Sequence, residues 1–201
     1  MKLSEIYLKN WRNFKEAKAG GLPDIVYIIG PNASGKSNIL DAIRFIRDIA
    51  KSRGGGLQQA VESRGGLQKI RCVHARKDTE VVIKITLAEH DGTPSWCYEL
   101  AINIPRHGNR DPHIVRELVW KFEGEWIPVL QRPNDRDRRD TFLLRETSLE
   151  QASENADFRD LASVFGSISY VHLVPQLLKF GDQIGGRTIA DDQRRTLAIG
   201  N

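Results

Sequence analysis

The sequence predicts an α/β chain with a phosphate-binding loop and an antiparallel β-subdomain, and three observations carry that prediction. Residues 25–29 read Ile-Val-Tyr-Ile-Ile, a continuous run of β-formers of the kind buried on both faces of a parallel sheet. The run ends at Gly30-Pro31-Asn32-Ala33-Ser34-Gly35-Lys36-Ser37, which matches GxxxxGK[ST] between a strand and a helix. Beyond that helix, short β-like segments separated by turn residues read as a meander.

Taken in order, Lys2 to Asn10 alternate apolar Leu3, Ile6 and Leu8 with Lys2, Glu5 and Lys9, the period of a strand, and Phe14 to Lys18 can return as its hairpin partner. Asp24 to Ile29 is the expected buried strand. From Lys36 to Ala50 the residues Ile39, Ala42, Ile43, Ile46, Ile49 and Ala50 recur at helical spacing, with Arg44, Arg47 and Asp48 largely elsewhere. The glycines Gly54 to Gly56 stop that helix. GGLQ occurs at Gly55 to Gln58 and again at Gly65 to Gln68, too short a period for a solenoid, so the stretch is expected to be a flexible loop with one short helix.

Six β-like segments follow: Ile70 to Ala75, Glu80 to Glu89, Ser95 to Ile104, His113 to Phe122, Trp126 to Leu130 and Thr141 to Arg145. Asp91-Gly92, His107-Gly108-Asn109 and Glu123-Gly124-Glu125 supply turn chemistry between them. A short helix is expected over Phe158 to Phe165 and a strand over Ser169 to Val174. Residues 180–201 show no clear period and are expected to be disordered or an interrupted element.

At 201 residues, 40% of them hydrophobic, the chain can bury a real core without disulfides or a structural metal. Cys72 and Cys97 form no CxxC pair and the five histidines are scattered, which excludes zinc-finger spacing and fits a reducing compartment. No apolar run approaches the ~20 residues of a membrane span, and the charged N-terminus does not resemble a signal peptide. A cytoplasmic protein with no membrane partner is expected. The net charge of +4, carried mostly by arginine, suits phosphate-rich partners but is equally that of a mildly basic enzyme.

The chemistry lies in the glycine loop. Gly30 and Gly35 let backbone N–H groups turn inward around phosphate oxygens, and the following helix adds its free N–H groups and positive dipole end. Lys36 can reach β and γ phosphates, and the Ser37 hydroxyl is placed to ligate Mg²⁺. Pro31, Asn32, Ala33, Ser34 and Asn38 complete the loop and the helix start. The alternative is a glycine turn that merely joins strand to helix. A lysine in the first helical turn is repelled by the dipole unless an anion sits there, so the residue choice favours nucleotide, with ATP and Mg²⁺ as the expected ligands.

The run IIGPNASGKSNILDAIRFI resembles the nucleotide-binding heads of the RecF, SMC and ABC group, and within it the bacterial stand-alone AAA-family predicted ATPases. Leu8-Lys9-Asn10-Trp11-Arg12-Asn13-Phe14 sits where such heads turn between their first two strands. The resemblance covers roughly residues 1–178 and implies a P-loop NTPase fold in the form of the first lobe of an ABC/RecF/SMC-like head: the loop at 30–37, an antiparallel β-subdomain at about 70–147, and a disordered or truncated tail at 179–201. It implies that Arg12 and Asn13 flank the nucleotide, against the alternative of a solvated turn. It further implies that Gln176, after Tyr170-Val171-His172-Leu173-Val174-Pro175, senses Mg²⁺ and the attacking water, against that of a capping or exposed glutamine.

Hydrolysis in this group also needs an apolar strand ending in Asp-Glu and a serine-glycine signature from a second head. The nearest acidic endings, Leu87-Ala88-Glu89 and Ile189-Ala190-Asp191-Asp192, fit poorly, so hydrolysis is expected only in a head completed by a missing lobe or a partner. Relatives work as dimers sandwiching nucleotide, which implies a homodimer or a partner lobe, with DNA as a candidate partner and DNA repair, chromosome handling or phage defence as the setting.

Two other readings stand beside this ATPase. One is a non-catalytic module whose association depends on ATP. The other is a small P-loop kinase whose arginine lid would be Arg132, Arg136, Arg138 and Arg139, interspersed with Asp135, Asp137 and Asp140; the plain alternative for that run is a solvated turn. Arg106, Arg110, His113 and Arg116 could form a basic face, but Trp120, Phe122 and Trp126 read as hairpin core rather than as a stacking platform. No Gly-x-Ser-x-Gly elbow occurs.

Overall fold

In the computed structural model, which describes residues 1–51, 53–74, 79–104 and 111–171, the chain opens with a hairpin of β1 (Lys2–Trp11) and β2 (Phe14–Gly20). Trp11 pairs with Phe14 across a two-residue turn, and Arg12 takes a positive φ of 53° there. Four more strands follow, β3 (Val81–Ala88), β4 (Pro94–Asn103), β5 (His113–Phe122) and β6 (Trp126–Arg132). All six form one antiparallel sheet in the order β2-β1-β3-β4-β5-β6. The expected meander is present, and it shares its sheet with the N-terminal hairpin rather than beginning near residue 70.

Period-two burial dictates which face is covered. The register lines up Ile6, Ile85, Tyr98 and Val119 across four strands, and beside them Leu8, Ile83, Leu100 and Glu117; all eight are buried. α1 (Lys36–Ala50) and α5 (Arg159–Ser167) pack together on this face. Phe45 of α1 meets Trp11 with ring centroids 5.2 Å apart, and Phe165 of α5 meets Tyr98 edge-on at 5.7 Å. Burying each such side chain stabilises the fold by about 1.5–3 kcal/mol. Residues 1–167 make one compact unit. Cys72 and Cys97 are buried free thiols.

Helix α1 spans the predicted residues. The GGLQ repeat marks two short helices rather than one, α2 (Leu57–Glu62) and α3 (Leu67–Ile70). Gly56 (φ 114°) and Gly66 (φ 91°) precede them in conformations that only glycine adopts without strain, and each launches a leucine, Leu57 or Leu67, into the core.

Row two of the sheet ends in a charge. Glu117 is fully buried and accepts from Tyr98 Oη (3.0 Å), the N–H groups of Ser148 and Leu149 (2.9 and 3.2 Å) and Arg132 Nη1 (3.1 Å). Arg132 also binds Asp137 (2.7 Å) and the carbonyls of Leu143 and Glu146. Burial pushes Glu117 above its ordinary range, and its donors do not cancel that. For Asp137 burial acts the same way, but the Arg132 bond and the Asn134 N–H outweigh it and hold the carboxyl low.

Several expectations are corrected. Asp24 to Ile29 forms no strand, and its apolar residues are open to solvent, Tyr27 at 82% and Ile29 at 92%. A doubly buried parallel strand needs neighbours and two covering layers, and the ladders of the sheet join its six strands only to one another. Of the segment Ile70 to Ala75, the described residues 70–74 contribute the bridge Trp11 to Arg71 and no strand. Thr141 to Arg145 is a 3-10 turn, because the carboxylate of Asp140 caps it at Phe142 N–H. Residues 169–171 of the expected strand over Ser169 to Val174 are not in a strand. The charged run, a lid in the kinase reading and otherwise a solvated turn, is the helix α4 (Asp135–Arg139), closed by a capping box from Asn134 and Asp137. Its Arg132 is buried and its Arg136 and Arg138 pair with Glu154 and Asp135. Gln176, the tail from 179, His107-Gly108-Asn109, Arg106 and Arg110 lie outside the described residues.

Candidate functional site

The site is assembled where the hairpin turn of β1 and β2 meets the entry to α1. Trp11 Nε1 donates to the Asn38 carbonyl at 2.8 Å, and Asn38 Nδ2 donates to Asn13 Oδ1 at 2.7 Å. Asn13 and Phe14 thereby lie against Gly35, the N-cap of α1, whose φ of 99° and ψ of 6° place it in the left-handed region. The Gly35 carbonyl accepts from both Asn38 and Ile39 N–H, at 2.9 and 3.2 Å. Ala33 also has a positive φ, 63°, and Ser34 N–H closes a tight turn on the Pro31 carbonyl at 3.3 Å.

Lys36, the first residue of α1, folds back so that Nζ donates to the carbonyls of Gly30 and Pro31, both at 2.7 Å. The ammonium is thus held over the loop rather than extended into solvent. The first turn of α1 carries no acidic residue and no side-chain cap, so the positive end of the helix is left uncompensated by the protein. Ser37 is exposed beside it. Ammonium, helix-terminal N–H groups and a hydroxyl make a donor set that fits a phosphate chain with a bridging Mg²⁺. Gly35 is backed so closely by Asn13 and Phe14 that any side chain there would have to displace them.

The predicted flanking pair is split. Asn13 stands at the loop. Arg12 lies further along α1, where Nε and Nη2 donate to Asp41 Oδ2 at 3.2 and 2.9 Å and Nη1 donates to the Lys69 carbonyl at 3.2 Å. The other oxygen of Asp41 accepts from Arg64 Nε at 2.9 Å. Arg64 in turn donates to Asp48 Oδ2 (3.0 Å) and the Ala60 carbonyl (2.9 Å), and its guanidinium lies 5.1 Å from the centre of the Phe45 ring. Burial would raise Asp48, but the bonds and charges of Arg47 and Arg64 outweigh it and hold the carboxyl below its ordinary range.

Trp11, Asp41 and Arg64 were not singled out from sequence. Asp41 had a signal: it falls four residues after Ser37, on the same helix face. Trp11 and Arg64 had none, since each reaches the site across a long sequence separation. Of the residues weighed as a basic face, Arg116 is paired with Glu99 (2.7 Å) and Glu80 (3.3 Å). Trp120 lies under Lys84, and Phe122 packs on Trp126 at 5.3 Å, as hairpin side chains do.

Residues 25–181 match the family described as AAA domain, putative AbiEii toxin, Type IV TA system. Among curated proteins, the chain is 51% identical over 52 residues to the DNA replication and repair protein RecF of Chlamydia caviae, which covers 26% of this chain and 14% of that protein. It is 31% identical over 88 residues to RecF of Lactococcus lactis subsp. cremoris, covering 44% and 24%. Over 125 residues it is 30% identical to the chromosome partition protein Smc of Bordetella petrii, covering 59% and 10%. The chain therefore spans a quarter or less of each of these relatives.

Proposed function

The chain belongs to the AAA domain family and carries a RecF- and Smc-like N-terminal ATPase region, and on that premise we propose that it is an ATP- and Mg²⁺-binding lobe with the P-loop NTPase fold. The observation that carries this reading is the seating of the hairpin turn on Gly35 at the entry to α1, with Lys36 Nζ bonded over the loop to the Gly30 and Pro31 carbonyls. In the proposal Lys36 and the helix-terminal N–H groups bind the phosphates, Ser37 holds Mg²⁺, and Arg12 and Asn13 flank the chain of phosphates. Bound Mg²⁺ would neutralise phosphate charge. Gln176 is the proposed sensor of metal and water.

Hydrolysis is proposed only for a completed head. Supporting this, Ile25 to Ile29 carries the composition of a central strand yet sits unpaired and exposed, at 68% for Ile25 and 92% for Ile29. A second lobe, from more chain, another copy or a partner, would cover it. The names of the relatives suggest DNA-linked work for such an assembly, in the cytoplasm. The same exposed run favours a second reading, an ATP-dependent association module without turnover.

Calorimetric titration with Mg-ATP, beside Lys36→Ala, tests the binding. The substitution is expected to weaken affinity at least tenfold, ~1.4 kcal/mol; equal affinity would remove the site assignment. Adding a second lobe separates the two readings: turnover sensitive to Lys36→Ala supports the ATPase, and nucleotide-dependent association without turnover supports the module.

A further inference from the structure

The carboxylate of Asp41 is shared between two arginines, one oxygen each, and the two arginines differ in freedom. Arg64 is locked: its side chain is 6% exposed, it lies on Phe45, and its three nitrogens are bonded to Asp41, Asp48 and the Ala60 carbonyl. Arg12 is half-open, with a side chain 26% exposed. Three of its five N–H groups are used, Nε and Nη2 on Asp41 and Nη1 on the Lys69 carbonyl, which leaves two. Its backbone is fixed as well, at φ 53° with N–H donating to the Ile70 carbonyl at 2.6 Å.

Asp41 follows Ser37 by four residues in α1, so the two side chains leave the same face one turn, about 6 Å, apart. An arginine fixed on Asp41 is therefore fixed on the Ser37 side of the helix. Placing a carboxylate there does not cancel the cation. Arg12 and Arg64 share Asp41, and Arg64 and Arg47 share Asp48, so these three cations meet two carboxylates. The rotamer freedom that a long cation gives up on meeting a phosphate has already been given up here.

We propose that Asp41, anchored by Arg64, is the positioning residue for Arg12: it holds the guanidinium at a fixed place one helical turn along α1 from Ser37, from which Arg12 favours the more highly charged triphosphate. This rests on the reading of Arg12 as a phosphate-flanking residue given above. Asp41 touches no phosphate itself. It acts by fixing where Arg12 points, and Arg64 acts by fixing where Asp41 points.

The test is the ratio of Mg-ATP to ADP affinity, measured by calorimetry on the full chain and on Arg12→Ala, Asp41→Ala, Asp41→Asn and Arg12→Ala/Asp41→Ala, with thermal unfolding recorded for each. Arg12→Ala and Asp41→Ala should each lower the ratio by roughly fivefold, and the double variant should lower it no further, the non-additivity of two residues acting as one. Asp41→Asn keeps the shape and one acceptor oxygen, so it should fall between and serves if the alanine variant fails to fold. A ratio lowered by Arg12→Ala but untouched by both Asp41 variants would overturn the positioning role while leaving Arg12 a ligand. Loss of ATP and ADP affinity in equal proportion in the Asp41 variants, with a lower unfolding temperature, would make the contact structural only and also overturn it. An unchanged ratio in Arg12→Ala would instead remove the reading on which the proposal rests.

Discussion

A Cβ on residue 35 would lie 2.7 Å from Asn13 Nδ2 and 2.9 Å from its Oδ1, so Asn13 occupies the space a side chain at Gly35 would need. The hairpin turn is seated on the one residue of the α1 entry that offers bare backbone. Gly35→Ala meets two penalties: a positive φ of 99°, worth about 1–2 kcal/mol for an L-residue, and the clash with Asn13 and with Phe14 Cζ at 2.6 Å. It is expected to lower the unfolding temperature and weaken Mg-ATP binding at least about tenfold, ~1.4 kcal/mol. Adding Asn13→Ala should restore part of the stability but not the backbone term. Wild-type affinity in Gly35→Ala would show that the seating does not shape the loop.

The buried pair of Glu117 and Arg132 should be costly to break and cheap to replace. Both side chains are at most 6% exposed, and Arg132 alone joins Glu117, Asp137 and two carbonyls. Arg132→Met leaves two carboxylates without their cation, and a loss of about 3–5 kcal/mol is expected in denaturant unfolding. Arg132→Met with Glu117→Gln and Asp137→Asn should recover much of that. A single-variant loss under about 1 kcal/mol would mean the network is not desolvated as its burial indicates.

The two GGLQ copies differ in their neighbours, and alanine at the helix-launching glycine separates them. At Gly66 an added Cβ meets nothing within 4 Å, so only the backbone conformation, φ 91° with ψ 163°, is penalised, by about 1–3 kcal/mol. At Gly56 it would strike the carboxylate of Glu150, which accepts from Leu57 N–H at 2.9 Å and caps α2 from 93 residues away. Gly56→Ala should therefore be the more destabilising of the two by urea unfolding, and Glu150→Ala should cost about 1–3 kcal/mol by stranding the Leu57 and Thr147 donors. Equal losses for the two glycines would show that Glu150 yields freely.

What the residues announced and what they hid follow from range. Helix α1 was legible to its ends because its signals, a glycine before it and a 3.6-residue apolar period within it, are local. The hairpins were legible for the same reason. Ile25 to Ile29 misled because composition reports suitability for a buried strand, whereas pairing depends on a neighbouring strand and covering layers, which a local run of residues does not specify. Arg132 misled because a charged run looks solvated until its partner, Glu117 on the neighbouring strand, is known. The loop lysine and serine were readable from their spacing, while Trp11, Asp41 and Arg64 come to the site only through tertiary contacts.

Asp48 and Glu117 should impose opposite pH dependences on stability. Asp48 has a folded-state pKa below its unfolded value, burial being outweighed by Arg47 and Arg64. Its contribution is therefore fully present above the unfolded carboxylate range, about pH 4, and is lost as pH falls through the lower folded value. Glu117 has a folded-state pKa above its unfolded value, burial prevailing over the Ser148 N–H and Arg132. Its term is greatest below that unfolded range and is lost as pH rises through the folded value. Urea unfolding of wild type, Asp48→Asn and Glu117→Gln between about pH 7 and pH 3 reads both signs. The advantage of wild type over Asp48→Asn should shrink on acidification, and its standing against Glu117→Gln should improve. If the Asp48→Asn difference held constant across that range, the ion pairs of Asp48 with Arg47 and Arg64 would not be what depresses it, and the bridge from Asp41 through Arg64 to the far turn of α1 would lose its electrostatic basis.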